Sequence, residues 1–292
     1  MKKILITGAN SYIGTSFEKY MQAWPEKYQI DTLDMLSGLW RGTSFAGYDV
    51  VFHVAGIAHS DSGKISAERS KLYYRVNTDL TVEVAKKAKK DGVRQFVFLS
   101  SMAVYGLATP IGKTKLISRD TPLSPDNSYG DSKKLAEEGI LPLEDDSFKV
   151  VILRPPMIYG NGSKGNYPTL SMIAQKLPIF PKVDNSRSML YIDHLSEFVR
   201  LMIENEETGI FWPQNKEYSN TSEVVQLIAK AHGKRVLLVP GFTWALRLMS
   251  HVVVYINKAF GSIIYALDIS TYRDEYCKYS LHETIFRTEE AE

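Results

Sequence analysis

Cysteine is all but absent. Cys277 stands alone in 292 residues, so the chain can build neither an intramolecular disulfide nor a cluster of thiolate metal ligands, and a reducing, cytoplasmic setting is expected. An excess of one charge is missing too. The 35 basic and 33 acidic side chains leave a formal charge of +2, which gives no concentrated basic face for nucleic acid. A secretory leader is not expected, because Ile4-Leu5-Ile6 is too short an apolar run before Thr7 and Gly8. There is no uninterrupted hydrophobic span either. The longest apolar-rich segment, Phe242–Leu267, is broken by Arg247, His251 and Lys258, whereas a spanning helix wants about 20 residues nearly free of charge. It reads as a core helix, with an interfacial helix lying on a membrane as the alternative. His53, His59 and His194 have no metal-ligand spacing, and His194 beside Asp193 reads as a helix-start residue. No nucleophile elbow occurs. What remains is 44% hydrophobic and 23% charged, an ordinary globular composition that excludes disorder as the main state.

Short apolar runs alternate with helical patterns over the first two-thirds of the chain. Strands are expected at Lys3–Thr7, Gln29–Asp34, Asp49–Ala55, Gln95–Ser100 and Val150–Leu153. Helices are expected at Ser11–Trp24, Leu72–Lys90 and Tyr129–Leu141, the second from the spacing of Leu72, Val76, Leu80, Val84 and Ala88. This alternation predicts an α/β fold, a Rossmann-type doubly wound parallel sheet with right-handed crossovers and helices on both faces. Residues 1–158 would form the dinucleotide-binding domain. Residues 159–292 would be mainly a smaller substrate-binding region, with about 190–212 returning to the first domain as the helix Ile192–Asn205 and the strand Gly209–Trp212. Prolines and glycines from Pro155 to Pro168 predict a loop without regular structure. Ser222–His232 reads as another helix, followed by a helical remainder with an irregular tail.

The first strand runs into Gly8-Ala9-Asn10-Ser11-Tyr12-Ile13-Gly14 and then a helix. Gly8 would allow the tight turn and Gly14 close packing of helix on sheet. The amides of Asn10 to Ile13 would face a pyrophosphate at the positive end of the helix dipole. Ser11 stands where a second glycine usually lets the backbone approach, and its hydroxyl is a candidate phosphate donor. Asp34, closing the second strand, would accept from adenosine ribose hydroxyls and repel a 2′-phosphate, favouring NAD over NADP. The alternative is a carboxylate capping a turn. Tyr129 and Lys133, four apart at the start of a helix, share one face. A lysine ammonium there, with a positive nicotinamide, would lower the phenol pKa. Ser100-Ser101 ends the fourth strand at the carboxyl edge, where doubly wound folds bind ligands.

With TGANSYIG, VVFHVAGIAH, VNTDLT, FVFLSSMAVYG, PDNSYGDSKKLAEE, LRPPMIYG and SRSMLYIDHL in this order, the chain resembles the extended short-chain dehydrogenase/reductase family. The likeness is to its nucleotide-sugar epimerases, dehydratases and reductases. The resemblance implies that Tyr129 transfers the proton, that Lys133 supports it and holds the nicotinamide ribose, and that Ser101 bonds the reacting sugar oxygen. It implies that Ala55, Gly56, Asn77, Ser100 and Pro156 line or support the cofactor. It also implies that Arg187 clamps the substrate diphosphate, the alternative being a surface ion pair, and that Met102 and Asn166 touch substrate, a loop turn being the alternative for Asn166. Dehydratases carry an Asp-Glu pair where this chain has Met102 and Ala103, so 4,6-dehydration is not expected. Met157 replaces an asparagine common in substrate binding. The usual acidic adenine-contacting segment is missing from Leu36–Tyr48, leaving Leu36, Leu39 or Trp40 to hold adenine.

The implied activity is NAD-dependent 4-epimerisation of a UDP-hexose or UDP-N-acetylhexosamine through a 4-keto sugar. One alternative is an NAD(P)H-dependent 4-ketoreductase of a UDP-4-keto-6-deoxy sugar, and another is a non-catalytic dinucleotide-binding protein. The resemblance further implies a homodimer through the Leu72–Lys90 and Tyr129–Leu141 helices and a role in polysaccharide biosynthesis.

Overall fold

The computed structural model describes residues 1–58, 65–242 and 260–290, together with Trp244 and Asn257. His59, Arg247, His251, Lys258 and most of the apolar Phe242–Leu267 segment lie outside the described residues. Six parallel strands form the main sheet: β1 (Lys2–Thr7), β2 (Tyr28–Leu33), β3 (Val50–His53), β4 (Gln95–Leu99), β6 (Lys149–Leu153) and β10 (Gly209–Phe211). They stand in the order β10-β6-β4-β3-β1-β2. Order reverses between β1 and β3, so a crevice opens at their carboxyl ends, the place where such sheets take ligands. The strands β3 and β4 are buried along their whole length, as expected where helices cover both faces.

On one face, Ile4, Ile6, Phe52, Val97 and Val151 join a core with α1 (Tyr12–Met21) and α6 (Ile192–Glu204). On the other, Leu5, Val51, Phe96, Phe98 and Ile152 pack with α3 (Leu80–Lys90) and α4 (Ser128–Ile140). Burying a side chain of this size fully contributes about 1.5–3 kcal/mol.

Four expectations need correction. The single helix over 72–90 is instead α2 (Ala67–Tyr73), a π turn over Tyr74–Asp79, and then α3. The turn buries Asn77, whose side chain is anchored outside the helix, so packing overrides the regular 3.6 period. The 155–168 stretch is not wholly irregular: Met157–Tyr159 is a strand, β7, parallel to β9 (Met189–Tyr191). Asn166 opens α5 (Asn166–Lys176), whose first turn tolerates Pro168 because the N–H there has no helical partner. The end of the apolar Phe242–Leu267 segment is also not helical. Ser262–Tyr265 is a strand, β12, pairing with β5 (Thr114–Ile117), whose β-branched partners lie far away in sequence. Finally, the chain does not close on an irregular tail: the short α8 (Leu267–Ser270) precedes α9 (Leu281–Glu290), which packs on α7 (Thr221–Ala231). The remaining pair, β8 (Ile179–Pro181) with β11 (Leu237–Val239), lies outside the main sheet. No helix among the described residues is long and apolar enough to cross a membrane.

Candidate active site

The glycine loop follows β1 directly. Gly8 has φ of 118°, and a Cβ there would lie 2.8 Å from the Ala55 nitrogen, so only glycine lets the loop press against the end of β3. The N–H groups of Gly8 and Ala9 donate to the Leu33 carbonyl. Asn10 sits at φ 63°, a left-handed conformation that asparagine tolerates. Ser11 caps α1: its hydroxyl oxygen accepts from the Gly14 N–H at 3.1 Å. That bond uses the oxygen as an acceptor and leaves its O–H able to donate. The first-turn N–H groups of Tyr12 and Ile13 have no partner within the helix by its geometry, and they face outward with the positive dipole end. Tyr12 also buries a hydroxyl without a hydrogen-bond partner. These features fit a dinucleotide pyrophosphate.

Asp34 is exposed, and one of its oxygens accepts from the Leu36 N–H at 3.0 Å. The turn-capping alternative is thus present in the fold, alongside an open carboxylate edge near the glycine loop. Of the three candidates for adenine, Leu36 and Leu39 are exposed at 97% and 80%, but Trp40 is not available. It is buried in the second core with the Arg41 guanidinium over its ring.

Asn77 is fully buried in the π turn. Its Oδ1 accepts from the Ile57 N–H at 2.8 Å, and its Nδ2 donates to the Ile57 carbonyl and to the Ser132 hydroxyl. It ties the loop after β3 to α4. A Cβ on Gly56 would come within 3.1 Å of Asn77 Oδ1 and 3.4 Å of Lys133 Nζ, so this loop passes immediately over the lysine.

The start of α4 is pressed against the turn after β4. A Cβ on Gly130 would fall 2.3 Å from the Ala103 carbonyl oxygen, a contact glycine alone permits. Asn127 caps the helix by accepting from the Gly130 N–H. The neighbouring Tyr129 is thereby brought to Ser101, whose hydroxyl favours the ionised form of the phenol and also accepts from the Ala103 N–H at 3.1 Å. Tyr73 packs its ring edgewise on Tyr129, with centroids 6.2 Å apart. The Met102 N–H donates to the Pro155 carbonyl, which lays the Pro155-Pro156 turn against the Ser101 turn. Lys133 Nζ donates to the Leu99 carbonyl at 2.8 Å and lies over the Phe98 ring.

Burial raises the Tyr129 phenol above its ordinary pKa, with the Ser101 hydroxyl opposing. The expected lowering by lysine is absent from the protein alone: Lys133 spends its bond on Leu99, and its own pKa falls to about 7 through burial, opposed by the Glu137 charge. Arg187 is half-buried, its Nη1 donating to the Gly261 carbonyl, and burial lowers its pKa to about 10. That is a built setting rather than the surface ion pair held as its alternative.

Three further site expectations are corrected. The Ser100 hydroxyl turns inward and donates to Glu137, leaving only its backbone for a cofactor. Met102 is buried in a third apolar cluster with Val104, Tyr105, Trp212, Ile263 and Tyr265, so it supports the site from behind instead of facing substrate. Asn166 does not stand in the loop turn held as its alternative but is exposed at the first position of α5.

Sequence reasoning missed a buried network under this site. Glu137 receives Ser100 and a two-pronged contact from Arg154, whose Nη1 donates to Tyr105 at 2.6 Å, and the Trp212 indole donates to the same phenol oxygen at 2.7 Å. It also missed His53, which lies between Thr7 Oγ1 at 2.7 Å and Thr81 Oγ1 at 3.1 Å. Burial, assisted by the Lys133 charge, takes the His53 pKa down to about 3, so the ring is a neutral brace. Glu137 had a sequence signal, four residues beyond Lys133 on the same face. His53, Arg154, Tyr105 and Trp212 had none, since only the fold brings them together.

The profile of the NAD dependent epimerase/dehydratase family matches residues 4–211. The UDP-glucose 4-epimerase of Vibrio cholerae is 31% identical over 268 residues, 85% of this chain and 81% of its own. The N-acetyl-alpha-D-glucosaminyl-diphospho-ditrans,octacis-undecaprenol 4-epimerase of Escherichia coli O157:H7 is 28% identical, covering 80% of this chain and 73% of its own. Among solved structures, the UDP-glucuronic acid 4-epimerase of Bacillus cereus in complex with NAD superposes with a TM-score of 0.74 at 18% identity, covering 99% and 96% of the two chains. RMD from Pseudomonas aeruginosa complexed with NADPH gives a TM-score of 0.75 at 17% identity, over 99% of each chain. These two share the fold. With a glycine loop at the sheet's switch point, a Ser101–Tyr129 contact, and a profile match across most of its length, this chain belongs to the NAD dependent epimerase/dehydratase family.

Proposed function

We propose that this protein is an NAD-dependent 4-epimerase of a diphosphate-linked hexose, with a UDP-hexose or UDP-N-acetylhexosamine as the substrate class. The observation that carries the reading is the meeting of Ser101 and Tyr129 at the carboxyl edge of β4, with Lys133 one turn behind and no proton-transferring side chain at Met102 or Ala103. Without an acid-base pair there, the site is equipped to move a proton on one sugar oxygen and not to eliminate water.

Tyr129 would act as the phenolate, its own proton lost to solvent once the positive charge of bound NAD offsets the effect of burial; it would take the proton of the C4 hydroxyl as the C4–H bond breaks, and return it when the 4-keto sugar is reduced on its other face. Bound NAD supplies the hydride acceptor and a positive charge. Ser101 would donate to the C4 oxygen, and such general acid-base groups contribute about 10²–10⁴ in rate. Tyr12 and Ile13 would cradle the pyrophosphate through their N–H groups, and Asp34 would take the ribose hydroxyls in preference to a 2′-phosphate. Arg187 would hold the substrate diphosphate through its planar fork.

The test is to incubate the purified protein, without added cofactor, with UDP-glucose, UDP-N-acetylglucosamine and their C4 epimers, and to separate the products. A mixture of C4 epimers is expected, and Tyr129→Phe should slow it by about 10³-fold. A 4-ketoreductase would use the same three residues. Consumption of NADH or NADPH with a UDP-4-keto-6-deoxy sugar, and no epimerisation, would replace the first reading with that one.

A further inference from the structure

We propose that the outer face of the β8–β11 pair is a docking surface for an anionic lipid bilayer, and that the protein works as a peripheral membrane enzyme. The parallel register sets Ile179 opposite Leu237 and Phe180 opposite Leu238. Side chains alternate along a strand, so Phe180 and Leu238 point into the first core while Ile179 and Leu237 are presented outward, 56% and 66% exposed. Leu177, just before β8, and Phe242 and Trp244, a few residues after β11, are exposed as well. Scattered exposed leucines need no explanation, but a contiguous apolar patch with a polar rim marks an interaction surface.

The rim identifies the partner. Lys176 and Lys182 bracket β8, and Lys234 and Arg235 precede β11, all four exposed. Lys234 bridges the two elements by donating to the Gln175 carbonyl at 2.8 Å. No carboxylate occurs between Lys176 and Lys182, and none between Glu223 and Asp268. The chain as a whole is nearly neutral; beside these two strands the basic groups outnumber Asp184, the exposed acid two residues beyond Lys182. Apolar side chains with an exposed tryptophan, ringed by lysine and arginine, match the layering of a bilayer interface: acyl chains under anionic headgroups. A second copy of the same face would meet it with like charge.

The inference rests on the patch alone and stands whether or not the epimerase reading holds. Its test is co-sedimentation of the full chain with vesicles of phosphatidylethanolamine and phosphatidylglycerol, against vesicles of phosphatidylcholine. Binding is expected with the anionic vesicles, weakening at high salt. The triple variant Lys176→Glu, Lys182→Glu, Arg235→Glu should lose binding at least tenfold. These side chains are exposed, so its fold should be intact by circular dichroism. The pair Ile179→Asp, Leu237→Asp should also lose binding, with epimerase turnover of a nucleotide sugar unchanged if that activity is present. Equal sedimentation with neutral vesicles, or full binding by the charge variant, would overturn the proposal. So would a concentration-dependent dimer that Ile179→Asp, Leu237→Asp dissociates, since the face would then serve a second copy.

Discussion

Around Ser101 the chain ties its polar side chains to one another in a buried network, whereas around Asp34 it leaves them at the surface. On the first side Ser100, Glu137, Arg154, Tyr105 and Trp212 form one connected set behind the reacting edge of the sheet. On the second, Asp34 makes a short-range turn contact and Leu36 and Leu39 are exposed. The contrast fits two tasks. Chemistry requires groups held in place before the substrate arrives, while binding a long cofactor tolerates an edge that closes on the ligand.

Substitutions can break this contrast or sharpen it. The largest effect is expected at Lys133→Met, which should reduce turnover by roughly 10²-fold or more. The same variant has a stability signature. The folded-state pKa of Lys133 lies near 7, below its ordinary 10.5, so between these values the unfolded chain holds a proton that the folded chain lacks. Wild-type stability should therefore rise with pH across that window and be lost as pH falls toward 7. Melting curves of Lys133→Met should lack this rise. Next comes Glu137→Ala, which strands Arg154 as a buried charge and should cost about 3–5 kcal/mol in urea unfolding. A loss below about 1 kcal/mol would show that the network does not brace the site. His53→Gln comes third. The neutral His53 contributes stability above its ordinary 6.5, lost as pH falls toward about 3, so the variant's acid unfolding should be flatter by a few kcal/mol over that range. The smallest effect belongs to the open edge. Asp34→Ser should shift preference toward NADP by about 5- to 10-fold, measured by cofactor titration, with stability changed by less than about 0.5 kcal/mol.

The parts legible in the sequence were those encoded by local spacing. Gly8 to Gly14 between a strand and a helix, and Tyr129 with Lys133 on one helical turn, announce themselves because each motif lies within one supersecondary unit. The parallel, doubly wound character of the sheet followed from the alternation of elements, while the order of its strands came from the structure. Short strands such as β5, β8 and β12 did not, because a three- or four-residue run has no periodicity of its own and is fixed by a partner far along the chain. His53 was read as carrying little, since its value depends on Thr7 and Thr81 arriving from two other elements. Ser100 and Met102 were placed by position alone, and the structure turns both side chains inward, where the core and Glu137 outcompete any ligand. The pKa of Tyr129 could not be judged from its neighbour in sequence, since burial is a property of the whole fold.

The π turn at Tyr74–Asp79 constrains how this protein can change length. It accommodates one residue beyond the regular helical count, and each residue of a helix turns the chain by roughly 100°. Removing that extra residue would restore the regular helical ladder and leave α2 and α3 facing much as they do now, with Tyr73 still against the Tyr129 ring. What would be lost is the local displacement that lets Asn77 reach both Ile57 and Ser132. A deletion that in a regular helix would turn everything beyond it is confined, at this point, to one buried amide in the wall of the active site.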